Sequence, residues 1–389
     1  MFPTIGHLIN YLFHKHILFN IQTLGFFMAM AFISSYQVFK AEFKRKEAEG
    51  KIKAFTQTIV EGKPASALEI FVNSLLGFLF GFKILGGLIS YHSFLSDPQK
   101  YILSLQGNLI CGILCGLGFG YWAWYDRRKV QLAQPVIVEK TVHPYQLALQ
   151  IVFTVAFWGF IGAKLFDTAE HFDRLKYDPI GTLFSVNGFT YYGGLIFGAL
   201  AYLYFCHKRG MRLDHLADIG SPGMMLAYAV GRVGCALSGD GDWGIANMHP
   251  KPTWLNWMPD WAWSYRFPHN EINAGAPMDN CSGNFCYELV RGVYPTSFYE
   301  AVLCLLLFIL MWAIRKHLGP AGLMFYIYLI LNGTERILIE TIRINIRYRF
   351  LGLNLTQAEW ISAAMITCGL IGILSIIYKC LKKQGKLSY

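Results

Sequence analysis

The chain has 389 residues, of which 54% are apolar and 16% aromatic, while only 15% are charged. Soluble domains carry about 25% charged residues, so the composition excludes an ordinary soluble enzyme and indicates a polytopic membrane protein. The formal net charge of +10 does not indicate nucleic-acid binding, because the basic residues lie in short loops between apolar runs.

Apolar runs of about 20 residues, the thickness of a bilayer core, recur along the whole chain. They predict an all-α, polytopic helix bundle that forms a single transmembrane domain over residues 1–389. The nine predicted spans are residues 21–39, 69–90, 106–124, 146–168, 191–206, 216–238, 298–314, 321–342 and 357–378.

Alternate loops between these spans differ in their content of basic residues. One set holds 20 of the 34 Lys and Arg residues, and the other, longer set holds 10. Because basic loops stay in the cytoplasm, the sequence predicts an N-terminus outside and a C-terminus inside the cell. The basic set comprises residues 40–63, 125–140, 207–213, 315–320 and 379–389.

The nine cysteines show no metal-ligand pattern, and Cys111 and Cys115 have helical spacing without nearby histidines. No zinc-protease or serine-hydrolase motif occurs, so neither a metal nor a cofactor is predicted. Cys281 and Cys286 share the polar loop 245–293, where an extracytoplasmic location would favour a disulfide. The tryptophans of this loop suit a membrane surface, and we expect a small extracytoplasmic subdomain.

Four basic residues fall inside predicted spans: Lys83, Lys164, Arg232 and Arg336. An ionisable group in a membrane needs a partner, so each is a candidate functional residue. Lys83 also fits a structural role in which its long side chain reaches a membrane surface. The other three lie toward the outer ends of their spans, so their charges are expected to converge on the outer leaflet.

The stretch Gly231–Gly244 contains five glycines, Arg232, Asp240 and Asp242. Glycine destabilises helices but lets the backbone approach a ligand closely. The stretch therefore predicts an anion-binding turn at the membrane surface. In the alternative interpretation it is only the glycine-rich end of a helix, with Arg232 reaching the lipid headgroups.

Polar residues follow one face of the eighth predicted span. Asn332, Arg336, Glu340 and Arg343 recur at intervals of four, four and three residues. Such a face must point into the bundle or a water-filled cavity. An Arg336–Glu340 pair that only locks helix packing is the structural alternative.

Two weaker elements also have structural explanations. The paired Gly193 and Gly194 after Tyr192 serve either close helix packing or a ligand. The segment ending in Tyr299 and Glu300 has a proline and hydroxyl residues before its carboxylate, which is also typical of a helix start. Together with the arginines, whose planar fork suits phosphate, these elements favour a site for a phospholipid headgroup.

Several of these segments resemble motifs of the bacterial prolipoprotein diacylglyceryl transferases. The stretch Gly231–Gly244 resembles the family's Gly-Arg-Ile-Gly-Asn signature, and Tyr192–Ile196 resembles His-Gly-Gly-Leu-Ile. Pro295–Glu300 is similar to Pro-Ser-Gln-Leu-Tyr-Glu, and Arg336 with Glu340 matches an Arg-x-x-x-Glu pair. Four motifs in the family's order make the resemblance specific.

The resemblance implies a seven-helix body in the bacterial cytoplasmic membrane, to which residues 40–140 add cytoplasmic loops and a helix pair. It implies transfer of the diacylglyceryl group from phosphatidylglycerol to the lipobox cysteine of prolipoprotein signal peptides, with release of glycerol phosphate at the outer leaflet. Membrane lipids and these peptides are the implied partners, without nucleic acid. A membrane transporter and a non-catalytic lipid-binding paralogue are the alternatives.

The resemblance, together with the charged residues of the spans, also assigns roles to residues. Arg232 and Arg336 are expected to bind the phosphodiester and stabilise charge on the leaving group, with Glu340 orienting Arg336. The other residues expected to bind substrate are Gly231, Gly234, Gly241, Gly244, Gly193, Gly194, Tyr299, Glu300, Arg343 and Lys164.

The chain departs from the family pattern at several positions. Tyr192 stands where the family has histidine, Cys235 where it has asparagine, and Met28 where its first helix has tyrosine. Asp240 and Asp242, separated by one glycine, stand in place of a glutamate. Since a thiolate is the nucleophile and the usual histidine is missing, Tyr192, Asp240 and Asp242 are the candidate acid–base groups.

Overall fold

The computed structural model describes residues 1–14, 20–91, 94, 101–102, 104–179, 190–345, 347–350 and 353–385. The chain forms two compact units. The first comprises Met1–Pro3, Gln22–Lys53 and Pro144–Tyr389, and the second comprises Thr4–Ile21 and Ala54–His143.

Helices dominate both units. In chain order they are α1 (Ile5–Phe13), α2 (Thr23–Ala48), α3 (Ala67–Leu79), α4 (Gly86–Ile89), α5 (Leu109–Lys129), α6 (Ala148–Glu170), α7 (Phe172–Tyr177), α8 (Tyr191–His207), α9 (Leu213–Ser238), α10 (Thr296–Ile314), α11 (Leu323–Glu340) and α12 (Gln357–Gly385). A π-helical segment, Phe80–Leu85, joins α3 to α4.

Within the part of the chain that the structure describes, five helices are long and apolar enough to cross a membrane. They are Thr23–Ala48, Ala67–Ile89, Pro144–Glu170, Thr296–Ile314 and Gln357–Lys382. The protein is therefore a helical membrane protein, as its composition predicted. The other four predicted spans also fold largely as helices, in α5, α8, α9 and α11. The count of nine spans and the orientation of the termini remain predictions.

Three short antiparallel ribbons interrupt the predicted all-α fold. Strand β1 (Phe55–Glu61) pairs with β2 (Val136–Val142) in the second unit. Strand β1 falls in the predicted cytoplasmic loop 40–63, and β2 overlaps the end of the predicted loop 125–140. Both strands are rich in β-branched residues, which favour extended backbone. The smaller ribbons join β3 (Ala276–Pro277) to β4 (Tyr287–Glu288) and β5 (Arg347–Phe350) to β6 (Leu353–Thr356).

The second unit contains most of the segment predicted as an insertion. In it, α3 packs against α5, and Lys83 lies in the π-helical segment. The Lys83 ammonium group donates to the carbonyl oxygens of Tyr101 at 3.1 Å and Gln106 at 2.7 Å. Lys83 thus stabilises a loop of its own unit, which supports the structural role considered for it. The identification of residues 40–140 as an insertion remains a prediction.

In the first unit, α9 packs against α2 and α10, and α11 packs against α12. The buried side chains between α9, α10 and α11 include Met225, Ala229, Cys304, Met311 and Tyr328. Lipid is as apolar as these side chains, so close van der Waals contact rather than water exclusion holds the helices together. This packing brings the ends of α9 and α11 and the start of α10 together.

Close packing also explains the glycine pair at the start of α8. A Cβ atom on Gly193 would lie 2.3 Å from the Gly162 carbonyl oxygen on α6. A Cβ atom on Gly194 would lie 3.3 Å from the Gly159 carbonyl oxygen. Gly193 and Gly194 therefore let α6 and α8 approach each other. This agrees with the first of the two roles considered for the pair, close helix packing rather than ligand binding.

The loop 245–293 belongs to the first unit and contains the β3–β4 ribbon. A disulfide joins Cys281 to Cys286, the pairing expected of an extracytoplasmic loop. The fully buried Asn270 donates hydrogen bonds to the carbonyl groups of Phe267 and Tyr287. The side of the membrane on which this loop lies remains a prediction.

Candidate active site

Helix α9 continues through the first part of the stretch predicted as a turn and ends at Ser238. The prediction that Gly231 and Gly234 shape a turn is therefore wrong. A Cβ atom on Gly234 would lie 2.7 Å from the Cβ atom of Phe27, so this glycine admits close packing of α2. The gain from packing outweighs the low helix propensity of glycine.

The turn itself spans residues 239–244. Gly239 ends α9 with φ of 69°, and Gly241 has φ of 102°, conformations that favour glycine. The Gly244 amide donates to the Tyr294 carbonyl group at 2.8 Å, and Gly244 pairs with Arg343 in a β-bridge. The turn thus lies beside the start of α10 and the chain leaving α11.

The carboxyl group of Glu300, in the second turn of α10, connects three arginines. Arg336 donates through Nη1 to Glu300 Oε1 at 2.8 Å, and Arg343 donates through Nη1 to the same oxygen at 3.1 Å. Arg232 Nε lies 2.9 Å from Glu300 Oε2. Glu300 is fully buried, so its role extends beyond capping a helix.

Two further carboxylates complete the site. Asp242 is paired with Arg232 and Arg343, and Glu340 Oε2 lies 3.1 Å from Arg336 Nη2. Asp242 also links Arg232 to Arg343, so the Arg336–Glu340 pair belongs to a network rather than being a separate lock. We call this set of six side chains the arginine cluster: Arg232, Arg336, Arg343, Asp242, Glu300 and Glu340.

The arginine cluster contains three guanidinium groups and three carboxylates, mostly screened from solvent. Buried ion pairs contribute little net stability because desolvation opposes their attraction. A guanidinium group has five N–H donors, and in these pairs Arg232, Arg336 and Arg343 each use two nitrogens. The arginines therefore keep donors for an additional anion.

Tyr228, one helical turn before Arg232, also belongs to the site. Its ring lies 5.1 Å from the guanidinium carbon of Arg232, and its hydroxyl group donates to Glu300 at 3.5 Å. Tyr228 was not predicted as a site residue, although its four-residue spacing from Arg232 on a helix was available as a signal. Thr296, which donates through Oγ1 to the Asp242 carbonyl group at 2.8 Å, was not predicted as a site residue either.

The two aspartates of the turn differ electrostatically. Burial raises the pKa of Asp240, and the negative charge of Asp242 adds to this effect. Burial also disfavours ionised Asp242, but the charges of Arg232 and Arg343 outweigh it and lower the pKa of that carboxyl group. Since carboxyl groups with diverging pKa values divide acid–base roles, Asp240 is the better proton acceptor.

Cys235, Asp240 and Asp242 offer potential metal ligands within 4.8 Å of one another. Asp242 is already paired with Arg232 and Arg343, whose positive charges oppose a cation. We therefore assign Asp242 to ion pairing rather than to metal binding.

Other predicted site residues have different partners. Lys164 Nζ lies 3.6 Å from Asp167 on its own helix. The Tyr299 hydroxyl group donates to the Ala262 carbonyl group at 2.7 Å and so contacts the loop 245–293. The side chain of Tyr192 lies outside the described residues, so its proposed role stays a prediction.

An apolar groove of about 660 Å³ lies between the loop 245–293 and helices α10 and α11. Tyr299 and Ile339, which line it, immediately precede Glu300 and Glu340 in the chain. Its other lining residues are Trp257, Met258, Pro259, Trp261, Ala262, Phe298, Val302, Leu303 and Leu338.

Comparison with known proteins agrees with these features. A family model described as prolipoprotein diacylglyceryl transferase matches residues 110–375. Proteins of Streptococcus pyogenes serotypes M5 (strain Manfredo), M49 (strain NZ131) and M1, each named phosphatidylglycerol–prolipoprotein diacylglyceryl transferase, are 31% identical over 295 residues. The matches cover 74% of this chain and 95% of each relative. The chain therefore belongs to the prolipoprotein diacylglyceryl transferase family.

Proposed function

We propose that this protein transfers the diacylglyceryl group of phosphatidylglycerol to the lipobox cysteine of prolipoproteins. The reaction takes place at the outer leaflet of the bacterial cytoplasmic membrane and releases glycerol phosphate. The observation that carries the proposal is the convergence of Arg232, Arg336 and Arg343 on the buried Glu300. The names of the relatives agree with this activity.

The arginine cluster suits both the lipid and the leaving group. The thiolate sulfur attacks the carbon of the diacylglyceryl group that carries the phosphodiester. A carbon–sulfur bond forms, the bond between that carbon and the bridging phosphodiester oxygen breaks, and glycerol phosphate leaves with the electron pair. Arg232 and Arg336 bind the phosphodiester oxygens and stabilise the charge that grows on the phosphate, a role for which fixed guanidinium groups are suited. Glu340 holds Arg336 in place through their ion pair.

A base must remove the proton of the acceptor thiol before sulfur attacks. Asp240 is the leading candidate because its carboxyl group is close to the cluster and its pKa is raised by burial and by Asp242. A raised pKa brings a carboxylate closer to the range in which it accepts a thiol proton. Tyr192 remains the second candidate.

The apolar groove supports a lipid substrate. Its walls come from α10 and α11, the helices that also carry Glu300 and Glu340, and aromatic side chains of the loop 245–293 contribute to it. Apolar and aromatic surfaces bind acyl chains, while arginines bind phosphate. We assign the groove to an acyl chain of the diacylglyceryl donor.

The test uses purified protein, phosphatidylglycerol in detergent and a lipobox peptide with one cysteine. Mass spectrometry is expected to detect the diacylglyceryl adduct on the thiol with wild type and with the control Arg212→Ala, an exposed arginine outside the cluster. Arg232→Ala and Arg336→Ala are expected to lose the product.

Folded wild type that binds phosphatidylglycerol but yields no adduct would contradict the transferase and favour a lipid-binding paralogue. Solute accumulation in vesicles without adduct formation would favour a transporter.

A further inference from the structure

Glu335, the residue before Arg336 on α11, is a buried carboxyl group that the proposed reaction does not use. Only 3% of its surface is exposed. Neither carboxyl oxygen has a hydrogen-bond partner in the described part of the chain. Polar groups buried to this degree are nearly always hydrogen-bonded, so Glu335 requires a physical explanation.

The electrostatic surroundings of Glu335 belong to the arginine cluster. It interacts electrostatically with the carboxyl group of Glu300 and the thiol of Cys304 on α10. It also interacts with Arg336 on its own helix, Arg232 on α9 and Arg343 beyond α11.

The charges in this network are already balanced. Three arginines face the three carboxylates Asp242, Glu300 and Glu340. An ionised Glu335 would add a fourth negative charge beside Glu300 without a hydrogen bond, which is costly in a buried setting. A bound phosphodiester would bring a fourth negative charge to the same arginines.

We propose that Glu335 is a positioning residue that carries a proton while the phosphodiester headgroup is bound. This inference rests on the proposed function, since it specifies how the same site accepts an anionic lipid. The proton on Glu335 keeps the network from holding two extra negative charges at once. Headgroup binding is therefore coupled to protonation and weakens as rising pH ionises Glu335.

The first test measures KM for phosphatidylglycerol between about pH 5 and about pH 9, which brackets the titration of exposed and buried carboxyl groups. Wild type is expected to show a rise of about tenfold, the effect of one nearby repulsive charge. Glu335→Gln, which mimics the protonated group, is expected to show no rise. Titration of the thiol and of Asp240 is the same in both proteins, so the difference between the two KM–pH curves reports the ionisation of Glu335.

The matched control is Glu139→Gln, an exposed carboxyl group on β2, which is expected to follow wild type. The same KM–pH curve in wild type and Glu335→Gln would overturn the proposal. A purely structural role for Glu335 would change stability without removing the pH dependence.

The second test is calorimetry of short-chain phosphatidylglycerol binding in buffers of different ionisation enthalpy, which counts protons. Wild type is expected to take up a fraction of a proton, at most about half, in the pH range where KM rises, and none at the acidic end. No uptake at any pH would overturn the proposal even if Glu335→Gln fails to fold. Proton-coupled binding without transfer activity would contradict the proposed function but not this inference.

Discussion

Helix α9 carries a charged side chain screened from solvent near each of its ends, Asp218 and Arg232, and the two charges have different partners. Near the start of α9, Asp218 lies 3.1 Å from Lys46 on α2. It also accepts backbone N–H groups of Gly322 and Phe325 at the start of α11, at 3.0 and 3.2 Å. Asp218 thus satisfies the free amides of a helix start and joins three helices.

About 21 Å further along α9, at 1.5 Å per residue, lies Arg232. There the observed ion pairs of the arginine cluster join one side chain to another. If a ligand displaced a carboxylate that caps backbone amides, those amides would lose their hydrogen-bond acceptor. An arginine that is paired with a carboxylate can instead exchange this partner for the phosphate of a ligand. We therefore assign the Asp218 end to holding the fold and propose that the arginine cluster binds substrate.

Asp218→Ala gives the largest expected loss of stability. It leaves Lys46 buried without its counter-charge and removes the cap of α11, so we expect about 3–5 kcal/mol of destabilisation. Thermal unfolding in detergent measures the change. The control Asp214→Ala, a more exposed carboxylate paired with Arg212, is expected to cost less than about 1 kcal/mol. An equal loss of stability in Asp218→Ala and Asp214→Ala would contradict the special structural role of Asp218.

Arg336→Lys tests the other end. Lysine keeps the charge but loses the planar fork, so kcat/KM is expected to fall about 100-fold to 1,000-fold, equivalent to about 2.7–4 kcal/mol in the barrier. Thermal unfolding is expected to change much less than in Asp218→Ala. Arg212→Lys, in an exposed pair, is the matched control for activity. Full activity in Arg336→Lys would contradict a bidentate role.

Asp240→Asn removes the proposed base and is expected to lower kcat about 100-fold. Asp240 accepts a proton only when ionised, and its pKa is raised by burial and by Asp242. Wild-type activity should therefore begin to fall at a higher pH on acidification than it would with an aspartate of ordinary pKa. This acidic fall in the pH–activity profile should be absent in Asp240→Asn. Asp279→Asn, exposed in the loop 245–293, is the control. An unchanged pH profile in Asp240→Asn would assign the base elsewhere.

Gly234→Ala has the smallest expected effect. Its Cβ atom would lie 2.7 Å from that of Phe27, so we expect about 1–3 kcal/mol of destabilisation by overpacking. Gly231→Ala is the matched control, because its Cβ atom meets nothing within 4 Å. Its better helix propensity is expected to raise stability by up to about 1 kcal/mol. Thermal unfolding of the two variants should therefore shift in opposite directions.

The helical membrane fold could be predicted because long apolar runs are recognisable directly from the amino-acid sequence. The pairing of Arg336 with Glu340 on α11 was visible from their spacing, since helical periodicity is local information. Arg343 was predicted on the same helix face, but it lies beyond the end of α11, where it pairs with Gly244 in a β-bridge. The central position of Glu300 was not visible, because a carboxylate near a helix start is already explained by capping. Its three arginine partners become neighbours only through tertiary packing.

Other features lay beyond local signals for different reasons. Gly234 appeared incompatible with a helix because its packing partner, Phe27, lies 207 residues earlier in the chain. The β1–β2 ribbon was missed although its β-branched residues favour strands. Asn270 is buried by loop contacts for which the sequence offered no pattern. Glu335 escaped notice because it lies off the polar face of α11.

The central claim is that the arginine cluster binds the phosphate of the lipid. The most direct measurement is the Kd of short-chain phosphatidylglycerol for wild type, Arg336→Ala and the exposed control Arg212→Ala. Wild type and Arg212→Ala are expected to bind with equal affinity, while Arg336→Ala binds at least about tenfold more weakly, as for loss of a charge-assisted hydrogen bond. Equal affinity in all three proteins would contradict the assignment of the cluster to the headgroup.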